Sequence, residues 1–479
     1  MANSQSNPSF LQIRSYRFLI LVKLFLIIFV YHFLKDLKDS LVITSSSAGA
    51  EVIPFIKIWV ILPFVLLGSY CFGKSYQELG REKTFTLFIL VLLGCYALFA
   101  FVLYPARDSL ALSKTAEWLQ FFLPEGLRGF NAMICFWIYA FFYLAAELWA
   151  VLILSVLFWG YLNEITSSEE AKTFYPLCAL IGNCAGIVAG QTSHFLCRHF
   201  SILFSWDRTL QCLVGIVILA GIGILYIHRL LTRYYPFERV SKQNRQNSSE
   251  NFTQNFFTIF RSKSLFCIAV LVISFGLTTN LVEVIWKETI KQVYPLPQEY
   301  NAYVNRLTSL IGLFAVVVAL LSRWIFKVFH WRYIAMVTPV VLFLTSIAFF
   351  SAYQVSSDFL LPIANIFKMN ELYFVMTLGS LYYISAMIAK YTLFDMCKEM
   401  AFLSIARDSR MKAKSIIDSV GSRLGKSGSS CLYQFLLLVF GSTSGCVPLI
   451  GIFVILIISL SIATTKMLGR EIGQERVIL

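Results

Sequence analysis

Apolar segments of about 18 residues or more recur along the whole chain, and no other feature constrains its fold as strongly. Inside hydrocarbon every backbone N–H and C=O must be satisfied within the protein. Repeated helix-length apolar runs therefore dictate a bundle of membrane-spanning helices. A barrel would show shorter segments of alternating polarity. Composition agrees: 58% of the 479 residues are hydrophobic and 14% are charged, against roughly 25% charged in soluble domains. The formal net charge of +14 belongs to loop lysines and arginines that set topology, not to a nucleic-acid surface. Eleven cysteines are scattered, mostly inside apolar segments, with no CxxC pair and no Cys/His cluster read as having metal-ligand spacing. They read as small buried hydrophobes, and no metal or cofactor is expected. No cleavable signal is expected before the first span, and the leader MANSQSNPSFLQIRS is too short for a plastid transit peptide.

Twelve spans are predicted. Six lie near 16–36, 52–73, 85–104, 132–160, 173–196 and 207–231. Six more lie near 264–286, 304–326, 332–352, 371–392, 418–440 and 444–465. The fifth is marked by Asn183 and several glycines, and the eleventh has a polar start. Residues 232–263 are basic and rich in Asn, Gln and Ser, and they read as a cytoplasmic linker. The expected domains are therefore 1–231 and 264–479, each a six-helix half. The sequons at Asn247 and Asn251 fall in this linker and carry little weight there. Placing both termini in the cytoplasm puts most loop cations inside, including Arg14, Arg17, Lys74, Arg81, Lys83 and the cluster Arg407, Arg410, Lys412, Lys414. The expected fold class is an all-α polytopic membrane protein with about twelve transmembrane helices in two halves, the major-facilitator architecture.

Charges inside apolar sequence mark candidate sites. Ile134 to Leu162 reads ICFWIYAFFYLAAELWAVLILSVLFWGYL, with Glu147 its single charge. At ~1.5 Å per residue that helix is ~40 Å long. A carboxylate at mid-membrane is costly unless it meets a partner or a wet cavity. Directly after the first predicted span come Lys35, Asp36, Lys38 and Asp39, where a solvated loop end with local ion pairs is the plain alternative. Glu283 lies near the outer end of the seventh predicted span, four residues before Lys287. Arg423 and Lys426 open the eleventh span among Gly421, Gly425 and Gly428, which let a ligand or a helix approach the backbone. LKDLKDS after the first span and EVIWKET in the seventh place acid and base at the same point of each half. The GKS at 425–427 is no phosphate-binding P-loop: three residues, not four, separate Gly421 from it, and no strand precedes it. Several cations with two membrane carboxylates suit an alternating-access carrier of a polyanion. The five histidines show no pairing with an acid at catalytic spacing, which argues against a membrane-embedded transferase.

Several blocks resemble the ATP/ADP translocase family of plastids and obligate intracellular bacteria. They are KDSLVITSSSAGAEVIPFIKIW (38–59), AFVLYPARDSL, AAELWAVLILSVLFWGYLNEIT, NLVEVIWKETIKQVYP, LFDMCKEMAF and IIDSVGSRLGKSGSSCLYQ, in order across both halves. The resemblance implies functional charges at Lys38, Glu147, Glu283 and Lys426. This chain reads Lys35-Asp-Leu-Lys-Asp where the family commonly has R-D-T-K-D, which replaces a bidentate guanidinium by an ammonium. It departs again at Phe402-Leu-Ser-Ile-Ala-Arg and at 412–418. The resemblance implies a secondary transporter, not an enzyme, that imports host nucleotides across a bacterial inner membrane by ATP/ADP counter-exchange. Its substrate-binding residues are expected at Lys38, Lys426, Lys35 and Arg423, and its coupling residues at Glu147 and Glu283. The alternatives are proton-coupled symport of nucleoside triphosphates and carriage of another phosphorylated anion such as NAD. Expected partners are ATP, ADP, other nucleotides, protons and the lipid bilayer, with no nucleic acid.

Overall fold

The computed structural model describes residues 10–45, 48–166, 168–234, 262–355, 357–403, 417 and 421–478. Its long helices are α1 (Phe10–Ser45), α2 (Gly49–Leu79), α3 (Arg81–Leu103), α4 (Trp137–Asn163), α5 (Phe174–Leu203) and α6 (Trp206–Arg233). They continue as α7 (Lys263–Val293), α8 (Pro297–Val328), α9 (Trp331–Gln354), α10 (Glu371–Phe402), α11 (Ser422–Phe440) and α12 (Thr443–Glu471). Among the described residues eleven of these are long and apolar enough to cross a membrane. The one that falls short is α11, whose first turns carry Arg423, Lys426 and several serines and glycines. It forms in place all the same and packs along α7.

The helices run longer than hydropathy predicts. From Phe10 to Ser45 there is no Gly or Pro to stop α1, so it continues straight through Lys35–Asp39. These charges do not follow the first span as a loop end; they lie within it, and Asp36, Lys38 and Asp39 are buried. Likewise α7 runs to Val293, stopping just before Pro295, so Glu283 sits in the helix interior and not at its outer end. The predicted fourth span breaks at Phe136, between a short helix Arg128–Cys135 and α4. The linker with its two sequons, and the cluster Arg407–Lys414, lie outside the described residues.

Successive helices cross in alternate directions, so the start of α1 and the end of α12 share one end of the bundle, here called the near end. The hydrogen bonds described between the first six helices and the last six gather toward the far end and mid-depth. At the far end Glu51 accepts from the Thr443 backbone N–H at 2.9 Å and its hydroxyl at 2.7 Å, and it faces Arg128 at 3.6 Å. Glu288 accepts the Ala50 N–H at 2.8 Å. A Cβ at Gly49, where φ is +59°, would lie 2.2 Å from the same carboxylate, so only glycine fits there. Gln434 donates to the Pro54 carbonyl at 2.9 Å. On the flank α5 meets α8 through Gly190, where a Cβ would come within 2.3 Å of Ser309 Oγ and 2.6 Å of the Asn305 carbonyl. Small residues bring helix backbones this close in membranes. They explain the glycines of the fifth span as packing surface.

Candidate functional site

Where α1, α4 and α7 converge, five charges form one ladder. Glu147 on α4 meets Lys38 on α1 at 2.9 Å. Lys38 also meets Asp39 at 3.1 Å. Asp39 crosses to Lys287 on α7 at 2.7 Å, and Lys287 meets Glu283 one turn back at 2.6 Å. The order of signs alternates throughout, so each lysine lies between two carboxylates. Such a chain is viable away from water because each charge is paired and hydrogen-bonded. The two charged segments of similar sequence, one on the first helix of each group, are thus brought face to face.

Packing fixes the rungs. Lys38 Nζ sits 3.5 Å from the centre of the Tyr143 ring, a cation–π contact from α4. Trp149, two residues past Glu147, is fully buried and donates from its indole to the Ile27 carbonyl at 3.1 Å. That bond sets the depth of α4 against α1. Trp286, beside Lys287, donates to Ser380 at 2.9 Å and stacks on Tyr383 of α10 with ring centres 4.3 Å apart. Asp36, one turn earlier on α1, accepts from Thr308 of α8 at 2.6 Å. Lys57 of α2 donates to Asn280 of α7 at 2.9 Å.

A second set of cations is arranged differently. Among the described residues no ion pair within 4.0 Å involves Lys35, Lys390, Arg423 or Lys426. Lys390 is close enough to both Lys35 and Lys426 to repel them. Lys426 and Arg423 are exposed on α11, and Lys35 and Lys390 are partly so. Of the ladder carboxylates Glu147 is the wettest, its side chain 31% exposed against 6% for Asp39. Lys426 and Lys57 lie near enough for their charge to act on Glu147. Ladder and cations thus border a water-accessible space between the helix groups. A gap of about 310 Å³ adjoins it, lined by His32, Lys35, Asn183, Thr308 and Tyr391 among others. A larger cavity of about 610 Å³ lies inside the last six helices, walled by Trp331, Pro339 and Phe394, and its mostly apolar lining holds none of the ladder charges.

Local helix geometry contributes. Three helices widen to π-helical turns beside these charges: Ile56–Ile61 around Lys57, Trp149–Trp159 just after Glu147, and Lys390–Phe394 starting at Lys390. Such turns occur often at functional sites because they re-aim side chains and loosen the backbone. Lys426 is placed by close contact of α11 with α7. A Cβ on Gly425 would lie 3.0 Å from Gly276 Cα, so what approaches that glycine is a helix and not a ligand.

Of the residues singled out from sequence, Lys38, Glu147 and Glu283 join one ladder, and Lys35 and Lys426 border the same space. Arg423 lies one turn from Lys426 and outside the ladder. Sequence reading noted Asp39 and Lys287 among the misplaced charges without counting them as binding or coupling residues, and missed Lys57 and Lys390. The last two could have been found by the rule that exposed Glu147, since each is a lone charge in an apolar run: IPFIKIWVILPF and LYYISAMIAKYTLF. Lys23, the other lysine inside α1, neither faces the space nor reaches the surface. It is buried over the Phe85 ring at 3.8 Å and 3.3 Å from His228 Nδ1. Among the described residues no group of three or more His, Cys, Asp and Glu could hold a metal ion.

A family model described as TLC ATP/ADP transporter matches residues 10–472. ADP,ATP carrier protein 2 of Chlamydia trachomatis serovar D is 35% identical over 466 residues, spanning 92% of this chain and 85% of that protein. The chloroplastic ADP,ATP carrier protein 2 of Arabidopsis thaliana is 34% identical over 448 residues, 93% of this chain and 72% of that one. Among solved structures, a bacterial homologue of the iron transporter ferroportin superposes with a TM-score of 0.57 at 11% identity, covering 96% of this chain and 99% of the other. A D-xylose-proton symporter gives 0.55 at 12% identity, covering 94% and 97%. At such identities the likeness speaks for the fold alone, which is the expected transporter architecture.

Proposed function

The chain belongs to the TLC ATP/ADP transporter family, and from that premise we propose that it carries nucleotides across a membrane by ATP/ADP counter-exchange. The observation that carries this reading is the charge balance of the pathway. Six lysines (35, 38, 57, 287, 390 and 426) stand against four carboxylates (Asp36, Asp39, Glu147 and Glu283), and four of the lysines (35, 57, 390 and 426) have no described ion-pair partner. Excess cations beside partly desolvated space suit a polyphosphate, because each added anionic charge relieves repulsion that the protein leaves unanswered. Lys35, Lys390 and Lys426 would meet the phosphates first. Lys38 would join them as the ladder opens, with Arg423 guiding entry. Glu147 and Glu283 would hold the lysines in register and link binding to movement. Residues 1–231 and 264–479 would act as the two rocking bodies, joined by the 232–263 linker.

With chlamydial carriers among its relatives, we place the protein in the inner membrane of an intracellular bacterium, and the loop cations favour the near end and both termini in the cytoplasm. A second reading, proton-coupled uptake, draws on the access of Glu147 to water. Uptake of radiolabelled ATP by intact bacterial cells expressing the chain separates the two. Uptake that survives a protonophore and is chased out by unlabelled ADP supports exchange. Collapse with the protonophore means symport. If ATP does not enter, labelled GTP, UTP, CTP and NAD identify the cargo.

A further inference from the structure

We propose that Asp39 is the residue that makes exchange obligatory: it stands in for a phosphate on Lys38 and Lys287 and so locks the carrier against returning without cargo. This rests on the exchange reading above and adds its coupling element. Asp39 holds the central position in the ladder. One of its oxygens takes Lys38 at 3.1 Å and the other takes Lys287 at 2.7 Å. Among the described residues, Asp39–Lys287 is the ladder contact that joins the first six helices to the last six. The remaining rungs, Lys38–Glu147 and Glu283–Lys287, stay within one group each.

The position is also mechanically apt. Residue 39 lies on α1 just before the far-end contacts, where Ser40 donates to the Pro297 carbonyl at 3.1 Å. Opening the far end must pull α1 away from α7, and with it Asp39 from Lys287. Doing so without a replacement anion breaks a buried ion pair, which is unfavourable even though Asp39 keeps Lys38 and Lys287 keeps Glu283. A nucleotide phosphate bridging Lys38 and Lys287 removes that obstacle by replacing Asp39 on Lys287. Asp39 keeps Lys38, its neighbour on the same helix at 3.1 Å, and the groups can part. Lys38 keeps Glu147 and Lys287 keeps Glu283 throughout, so neither lysine is stranded when Asp39 is lost. That asymmetry makes Asp39 a dispensable anion for folding and an indispensable one for coupling.

The test is Asp39→Asn in proteoliposomes loaded with labelled ADP. For the wild type, efflux into nucleotide-free medium is expected to be at most a tenth of efflux into medium containing ATP. For Asp39→Asn, efflux into nucleotide-free medium should rise at least tenfold and approach the exchange rate. Asp39→Glu, which keeps the charge, should restore the dependence on external nucleotide. A second reporter covers a variant too slow to assay. Cys197 lies at the α5–α8 contact, 2% exposed and 3.1 Å from the Asn301 amide. With Cys197 as the sole cysteine, Asp39→Asn should raise its labelling by a membrane-impermeant maleimide without nucleotide, whereas the parent needs ADP. Efflux from Asp39→Asn that still requires external nucleotide, or Cys197 labelling unchanged by the substitution, overturns the proposal. A wild type that moves no nucleotide in either direction overturns the exchange reading instead.

Discussion

On α1 and α7 each ladder lysine shares two carboxylates, while on α10 and α11 Lys390 and Lys426 repel one another with no described carboxylate at ion-pair distance. Both regions line the same interface and use the same side chain. They differ in who supplies the counter-charge. Along the ladder the protein does, and the far end is closed by Glu51, Glu288 and the glycine contacts of α5 with α8. At α10 and α11 the counter-charge is left to whatever enters. A carrier that must bind and then release a polyanion needs both: cations fully satisfied by the protein would not attract cargo, and cations left wholly bare would not let it go. The contrast has an energetic signature, because deleting a lysine should have opposite effects on stability in the two regions.

The largest effect is expected at Lys287. Lys287→Ala removes the cation that Asp39 and Glu283 share, leaving Lys38 to Asp39 alone, a loss of about 3–5 kcal/mol for a broken buried pair. Folded protein recovered in detergent, followed by size-exclusion profile and thermal midpoint, should fall sharply, and equal recovery with wild type would break the comparison. Next come Lys426→Ala and Lys390→Ala. Each removes a charge-assisted contact of about 1.5–3 kcal/mol to phosphate, so the half-saturating ATP concentration should rise tenfold or more. The thermal midpoint without nucleotide should hold or rise, because repulsion is relieved. A drop in midpoint like that of Lys287→Ala would erase the distinction between the regions.

Gly190→Ala probes the far-end closure itself. Its new methyl meets Ser309 and the Asn305 carbonyl, an overpacking cost of about 1–3 kcal/mol. Gly428→Ala, where the nearest atom beyond its own helix is Leu277 at 3.6 Å, is the matched control. Exchange should slow at position 190 and not at 428. The smallest effect is expected from Lys23→Met, which keeps the packing against Phe85 and lies away from both regions. ATP competition profiles should be unchanged, and a shifted profile would draw Lys23 into the pathway.

Much of this was legible from sequence because the bilayer imposes a simple rule on helices. Eleven spans announce themselves by apolar length. The α11 helix does so poorly, since the residues that give it a role, Arg423 and Lys426 among glycines, are those that lower its hydropathy. The same conflict shortened α1 on paper. Hydropathy ends at Lys35, whereas the helix, with no Gly or Pro to break it, runs on to Ser45 and buries the charges against partners that a linear reading cannot see. Lys38 and Glu147 were visible as charges out of place. Their contact through 109 positions of chain was not, and neither was Asp39 with Lys287 across 248. Lys390 was visible as a lone charge in an apolar run, but the π-helical turn that begins at it was not.

The most direct measurement is the distance across the far end, read by electron–electron double resonance between spin labels at exposed Leu203 on α5 and Leu296 just before α8. If the protein's own carboxylates hold the far end shut and cargo releases it, reconstituted protein without nucleotide should give one narrow short-distance population. Saturating ADP should add a second, longer population, and Asp39→Asn should show that population without ADP. A far-end distance indifferent to ADP, or already broad in the wild type without it, would contradict the account.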